Sequence, residues 1–144
     1  MSQEKPKILL ADDEIELLEF LTLRLSREPW EIVTAEDGER ALEALKPGDV
    51  DVAVLDLRMP GLDALNILKS VQQLGIDTDI IILTGFATVE SAVLAMRRGA
   101  RDFLRKPFRL EELLTIVRRL LDGRFPASNT LAERLVAYVK DHAF

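Results

Sequence analysis

Three short runs in this chain are apolar without alternation: KILLA at Lys7–Ala11, VAVL within Val50–Asp56, and IIIL within Asp79–Thr84. A strand with one face in water alternates polar and apolar residues. An unbroken apolar run of strand length therefore asks for burial on both faces. Parallel strands joined by right-handed crossover helices meet that demand, because the helices cover both sides of the sheet.

The intervening sequence supplies such helices, and glycines and prolines punctuate them. Asp13 opens an amphipathic segment with leucines at 17, 18, 21 and 25, and Asp13 and Glu16 have the spacing of an N-cap and its capping-box partner. Pro29 ends that helix, Trp30–Ala35 reads as a strand, and Asp37–Gly38 starts a helix through Leu45 that Pro47–Gly48 stops. Pro60–Gly61 closes the Val50–Asp56 run before a helix to about Leu74. After Asp79–Thr84, Thr88–Arg98 is helical, Asp102–Arg105 is a brief strand, and a helix follows Pro107 to about Asp122. Five strands alternating with five helices predict a three-layer α/β sandwich. The pattern leaves the strand order open.

Much chemistry is excluded at once. The 144 residues contain no cysteine, which removes disulfides, thiolate metal sites and cysteine nucleophiles. A single histidine, His142, argues against a histidine-built zinc site or a catalytic triad. No apolar stretch approaches the roughly 20 residues of a membrane span, and the N-terminus has no signal core, so a cytoplasmic protein without membrane contact is expected. Residues 1–96 carry 8 Lys/Arg against 19 Asp/Glu, whereas residues 97–124 carry 9 against 4. The acidic body argues against direct nucleic-acid binding, which needs a net basic face. The basic stretch reads either as a solvated helix face or as a partner surface.

In an open parallel sheet, functional groups gather at the carboxyl ends of the strands. Asp12 and Asp13 follow the first strand, Asp56 the third, Thr84 the fourth and Lys106 the fifth, while the second ends in Glu36–Asp37. Singly, each has an ordinary explanation: a helix cap for Asp13, a turn for Asp56, a proline-flanked surface lysine for Lys106. Together they form a constellation. Crowded carboxylates repel unless one keeps a proton or a cation sits among them, and Mg2+ suits oxygen donors. Such a site would take a phosphoryl group, with Asp56 as nucleophile, Lys106 neutralising oxygens and Thr84 donating a hydrogen bond.

With ILLADDE (8–14), VLDLRMPGLDA (54–64), ILTGFA (82–87) and DFLRKPF (102–108), the sequence resembles the receiver domain of bacterial two-component response regulators. The four motifs occur in order, and the resemblance spans residues 7–122. It implies a doubly wound, flavodoxin-like sheet of order 2-1-3-4-5. It implies that Asp56 accepts a phosphoryl group from a histidine kinase, and that Mg2+ is held by Asp13, Asp56 and the backbone carbonyl of Arg58, with Asp12 acting chiefly through water. By the same resemblance Lys106 contacts the phosphoryl group, the Lys106–Pro107 bond is cis, and Thr84 and Phe103 form a switch pair. The switch would move the surface of the fourth helix, fifth strand and fifth helix, where a homodimer is also conceivable. Such a protein controls a partner or output domain, here expected to be transcriptional. It is a phosphoacceptor that catalyses only its own phosphorylation and dephosphorylation, not an enzyme of metabolism.

Three departures from the family pattern stand out. Ala64 replaces a common glycine, and helix formation should survive because the residue is small. Phe103 lacks the hydroxyl of the usual tyrosine. Phe86 is bulky and is expected to shield an aspartyl phosphate from water.

Rival readings fit less well. A haloacid-dehalogenase-type enzyme would place an aspartate two residues after the nucleophile, where Arg58 stands, and a flavodoxin-like nucleotide binder would not follow its first strand with ADDE. The alternative kept open is an unphosphorylated receiver-like interaction module.

Residues 1–122 are thus expected to form the receiver domain. Residues 123–144 comprise a linker and an amphipathic C-terminal helix with Leu131, Leu135, Tyr138 and Val139 on one stripe. That helix would trail the domain, dock on it, or begin an output domain. ERLVAYVKDHAF bears a slight resemblance to the first helix of arabinose-type transcription regulators.

Overall fold

The computed structural model describes residues 5–123. Its elements follow chain order: β1 Lys7–Ala11, α1 Ile15–Leu25, β2 Glu31–Ala35, α2 Gly38–Leu45, β3 Val52–Leu55, α3 Ala64–Leu74, β4 Asp79–Thr84, α4 Val89–Arg97, β5 Asp102–Arg105 and α5 Leu110–Leu121. All five strands are parallel, in the order β2-β1-β3-β4-β5. The expected C-terminal linker and helix lie outside the described residues, apart from Gly123.

The three unbroken apolar runs are the three interior strands. β1, β3 and β4 each have neighbours on both edges and helices on both faces, so beyond their first residues Lys7 and Asp79 their apolar side chains are buried. β2 and β5 are the sheet edges, and their sequences, EIVTA and DFLR, are mixed. Strand residues alternate between two cores. Leu9, Ala53, Leu55, Ile80 and Ile82 face α2, α3 and α4; Ile8, Leu10, Val52, Val54, Ile81 and Leu83 face α1 and α5.

Strand register brings the strand ends together. Ala11 pairs with Leu55, and the next residues, Asp12 and Asp56, therefore emerge side by side. The ladder continues past the strands, with Asp12 N–H donating to the Ala35 carbonyl at 3.1 Å and Asp56 N–H to the Ala11 carbonyl at 2.9 Å. Thr84 pairs with Arg105, and Lys106 N–H donates to the Thr84 carbonyl at 2.9 Å.

Local differences from the expected elements have physical causes. Asp13 does not cap α1: Glu14 occupies that position with no side-chain cap, and Asp12 Oδ1 accepts the Glu14 N–H at 2.9 Å. The Asp12 carboxylate turns inward to take this donor, and Asp13 stays exposed beside the site. Val50 and Asp51 precede β3 because they are used as anchors instead. Thr78 Oγ1 donates to the Val50 carbonyl, and Asp51 Oδ2 accepts the Lys7 N–H, each at 2.8 Å. Asp37 is the N-cap of α2, accepting from Arg40 N–H at 2.8 Å, and so serves the helix rather than the site. Ala64 begins α3 fully buried, with Asp63 as its N-cap.

Gly38 marks the tightest approach between two loops at this end of the sheet. A Cβ there would lie 1.6 Å from the Leu62 carbonyl oxygen, and the Gly38 N–H donates to the Pro60 carbonyl at 3.2 Å. Helix propensity alone would favour alanine by ~1 kcal/mol. The clash with backbone is larger, since no rotamer can relieve it. Gly38→Ala should therefore destabilise the fold by about 2–3 kcal/mol, read as a lower urea midpoint at unchanged slope. A midpoint equal to or above that of the wild type would show that α2 does not seat on the β3–α3 loop this closely.

Candidate functional site

The carboxyl ends of β1, β3 and β5 converge on one ammonium group. Lys106 Nζ donates to Asp12 Oδ2 at 2.7 Å, to Glu14 Oε1 at 2.7 Å and to Asp56 Oδ2 at 3.2 Å. Asp12 and Asp56 are 3% and 4% exposed, so these acids leave water almost entirely and need compensation. Each finds a second donor in the loop it begins. Glu14 N–H serves Asp12 Oδ1, and Arg58 N–H serves Asp56 Oδ1 at 3.3 Å. The Lys106–Pro107 peptide bond is cis.

The charge balance is uneven, with four carboxylates (Asp12, Asp13, Glu14, Asp56) around one lysine. Burial pushes the Asp12 carboxyl up to about 6 from 3.8, a rise that its hydrogen bonds from Lys106 and Glu14 N–H only partly oppose. Lys106 moves the other way from what burial dictates. Desolvation would lower it, but its bonds to Asp12 and Glu14 outweigh that cost and hold it above the ordinary lysine value. Oxygen atoms of Asp12, Asp13 and Asp56 all lie within 4.8 Å of one another. Three hard carboxylate donors so close together suit a small divalent cation such as Mg2+.

Thr84 ends β4 fully buried, and its Oγ1 accepts the Phe86 N–H at 3.0 Å. Phe103 is 8% exposed and packs in the core shared with α2, α3 and α4. Phe86 stands in the open at 57% exposure, and the Arg58 guanidinium lies over its ring, 4.5 Å from the centroid.

Of the residues expected at the site, Asp12, Asp56 and Lys106 are in direct contact, Asp13 adjoins them, and Thr84 touches Lys106 through backbone. Glu36 and Asp37 make no bond to this cluster. Glu14 was not anticipated as a partner of Lys106. Its signal was the third acid of the ADDE run, which sequence spacing alone could not separate from a solvated helix start.

Part of the basic stretch is engaged within the domain. Arg98 donates to the Leu65 carbonyl at 2.9 Å, Arg101 lies 3.6 Å from Asp79, and Arg118 pairs with Glu28 at 3.0 Å. Among the described residues, no helix is long and apolar enough to cross a membrane.

The family model described as "Response regulator receiver domain" matches residues 8–118. Among curated proteins, the chain is 38% identical over 120 residues to the response regulator MprA of Mycolicibacterium vanbaalenii, covering 83% of this chain and 52% of that protein. Among solved structures, it is similar to the signal receiver domain of a LuxO repressor protein from Vibrio parahaemolyticus, at TM-score 0.80 and 30% identity, covering 84% and 93% of the two chains. It is also similar to the response regulator protein TrrA of Thermotoga maritima, solved in complex with Mg2+ and BeF, at TM-score 0.71 and 34% identity, covering 80% and 98%. The chain spans about half the length of the curated relatives it matches first.

The raised Asp12 has a consequence for stability. Its protonated form favours the folded state, so this contribution is complete below about pH 4 and is lost as pH rises through about 6. Asp12→Asn, a neutral mimic, removes the loss. Between pH 4 and pH 7 in chelator, the variant should gain about 1–2 kcal/mol on the wild type in urea unfolding, a figure trimmed for the open rim of the site. A stability difference that stays flat across this range would refute the assignment.

Proposed function

We infer function from one premise: this chain belongs to the response regulator receiver domain family. It is a receiver of two-component signalling, and its fold is that of the family. We propose that Asp56 is the phosphoacceptor. The observation that carries this reading is the Lys106 ammonium shared among Asp12, Glu14 and Asp56, a buried, hydrogen-bonded carboxylate beside a fixed cation.

In this reading an Asp56 carboxylate oxygen attacks the phosphorus of a phosphohistidine on a histidine kinase, and the imidazole leaves. Lys106 exchanges a carboxylate contact for the transferred group and neutralises part of its charge. Asp13, Asp56 and the Arg58 backbone carbonyl would hold Mg2+, with Asp12 acting chiefly through water. Bound there, the ion supplies positive charge to the phosphoryl oxygens. Thr84 and Phe103 act as the switch pair: the hydroxyl leaves the Phe86 N–H for a phosphoryl oxygen, and the ring follows into the space vacated. The surface of α4, β5 and α5 carries the signal to a partner, a second copy or a transcriptional output domain. We assign residues 1–122 to this receiver unit and 123–144 to a linker and helix beyond it. On this view the domain acts in the cytoplasm, catalyses only its own phosphorylation and dephosphorylation, and touches neither nucleic acid nor membrane itself.

Incubation with acetyl phosphate followed by intact mass should show one phosphoryl increment that requires Mg2+ and is absent from Asp56→Asn. Lys106→Ala should slow its appearance by about 100-fold or more, the usual scale for removing a charge that stabilises the transition state. No increment under any condition would leave an unphosphorylated interaction module as the better account.

A second measurement concerns Phe86. If its ring shields the aspartyl phosphate, Phe86→Ala should shorten the phosphoryl half-life several-fold. An unchanged half-life would remove that role.

A further inference from the structure

Lys106 has three N–H donors and gives all three to carboxylates: Asp12 and Glu14 at 2.7 Å each, and Asp56 at 3.2 Å. Two of these acceptors are buried aspartates that belong to the close set of Asp12, Asp13 and Asp56. Glu14 stands outside that set. It comes from the segment between β1 and α1, and its side chain is 61% exposed.

Glu14 forgoes the ordinary use of its position. It is the N-cap of α1, where a short polar side chain would accept one of the helix's unpaired N–H groups, and it makes no such bond. Its backbone is fixed by Asp12 Oδ1, which accepts the Glu14 N–H at 2.9 Å, and its carboxylate meets Lys106 instead. An ion pair with one partner in water contributes little to stability. The consequence of this contact lies in where it keeps the lysine.

The site has to hold two cations at once. Asp56 is bonded to Lys106 and is also a ligand in the proposed Mg2+ site, and Asp12 stands among the same oxygens. Two positive charges that share acceptors repel each other. With only the aspartates to bind, lysine and divalent ion would tend to exclude one another. We propose that Glu14 is a positioning residue: it gives Lys106 an acceptor outside the metal's ligands, so that the ammonium stays in the site when Mg2+ enters. The proposal rests on the reading of Asp13 and Asp56 as metal ligands. Held by Glu14, Lys106 is at hand for an incoming phosphoryl group without competing with the ion for Asp56. Glu14 itself acts only through the lysine.

The test titrates Mg2+ into wild type, Glu14→Gln, Lys106→Met and the double variant, followed by backbone amide shifts in NMR. It then observes the Lys106 ammonium in isotope-labelled protein, with Lys106→Met identifying the signal. Where Lys106 is present, Glu14→Gln should weaken Mg2+ binding by about 3–5-fold, the upper end for a half-exposed ion pair, because the released lysine competes for Asp12 and Asp56. Without the lysine, the same substitution should weaken binding by less than about 2-fold, the effect of one screened charge at the rim. In Mg2+-loaded wild type the ammonium signal should persist, and in loaded Glu14→Gln it should be lost to exchange with water. Equal factors in both Lys106 backgrounds would overturn the proposal, since Glu14 would then act on the ion by its own charge. An ammonium signal that responds to Mg2+ alike in wild type and Glu14→Gln would overturn it too, and that comparison needs no folded Lys106→Met protein. A wild type that binds no Mg2+ at these carboxylates would instead refute the metal reading, and the role of Glu14 with it.

Discussion

The shared lysine is the interaction on which the rest of this site depends. Asp12 and Asp56 are almost fully buried at the ends of adjacent parallel strands, where two unscreened negative charges would push those ends apart. Lys106 bridges both, and Glu14 adds a third contact from the solvent side. A buried acid with a good partner is tolerated, whereas one whose partner is removed is strongly destabilising. The site is therefore cation-dependent by construction. The raised Asp12 carboxyl, pushed up chiefly by burial, shows that Lys106 compensates that burial only in part.

Two loops connect that electrostatic centre to the surface. The Thr84 hydroxyl is bound to the Phe86 N–H, and the Phe86 ring is bound to Arg58, two residues from Asp56. The stack joins the loops after β3 and β4 at the surface, while the buried Thr84 hydroxyl ties Phe86 to the end of β4. A change in the partner of Thr84 must be felt at Phe86, because the hydroxyl oxygen is the acceptor for that residue's own amide. The same few residues thus carry the buried Thr84 hydroxyl contact and the exposed Arg58–Phe86 stack.

Sequence reading located most of the site because strand ends are easy to find. Punctuation by Gly and Pro, with apolar runs between, placed Asp12, Asp13, Asp56, Thr84 and Lys106 at the same edge of a sheet whose order it left open. It missed Glu14 as a lysine partner and assigned the α1 cap to Asp13, for one reason. Three consecutive acids offer equivalent spacing to a helix start, and only burial separates them. Asp12 turns inward and takes the Glu14 amide, and Asp13 remains in solvent. The Arg58–Phe86 stack was equally illegible, since it joins residues 28 positions apart through side-chain directions that no local pattern encodes.

The amino-acid sequence by itself determined the layers, the elements and the chemistry available. Unbroken apolar runs require burial on both faces, and the residues after them are polar and acidic. It even held a clue to the order, since the three unbroken runs are the three interior strands and the mixed ones are the edges. Only the tertiary structure decided which of those polar groups meet. That outcome depends on register: Ala11 opposite Leu55 and Thr84 opposite Arg105 set Asp12 against Asp56 and place Lys106 within reach of both. Register is settled by packing two cores at once on either side of the sheet, a global condition that no stretch of sequence states on its own.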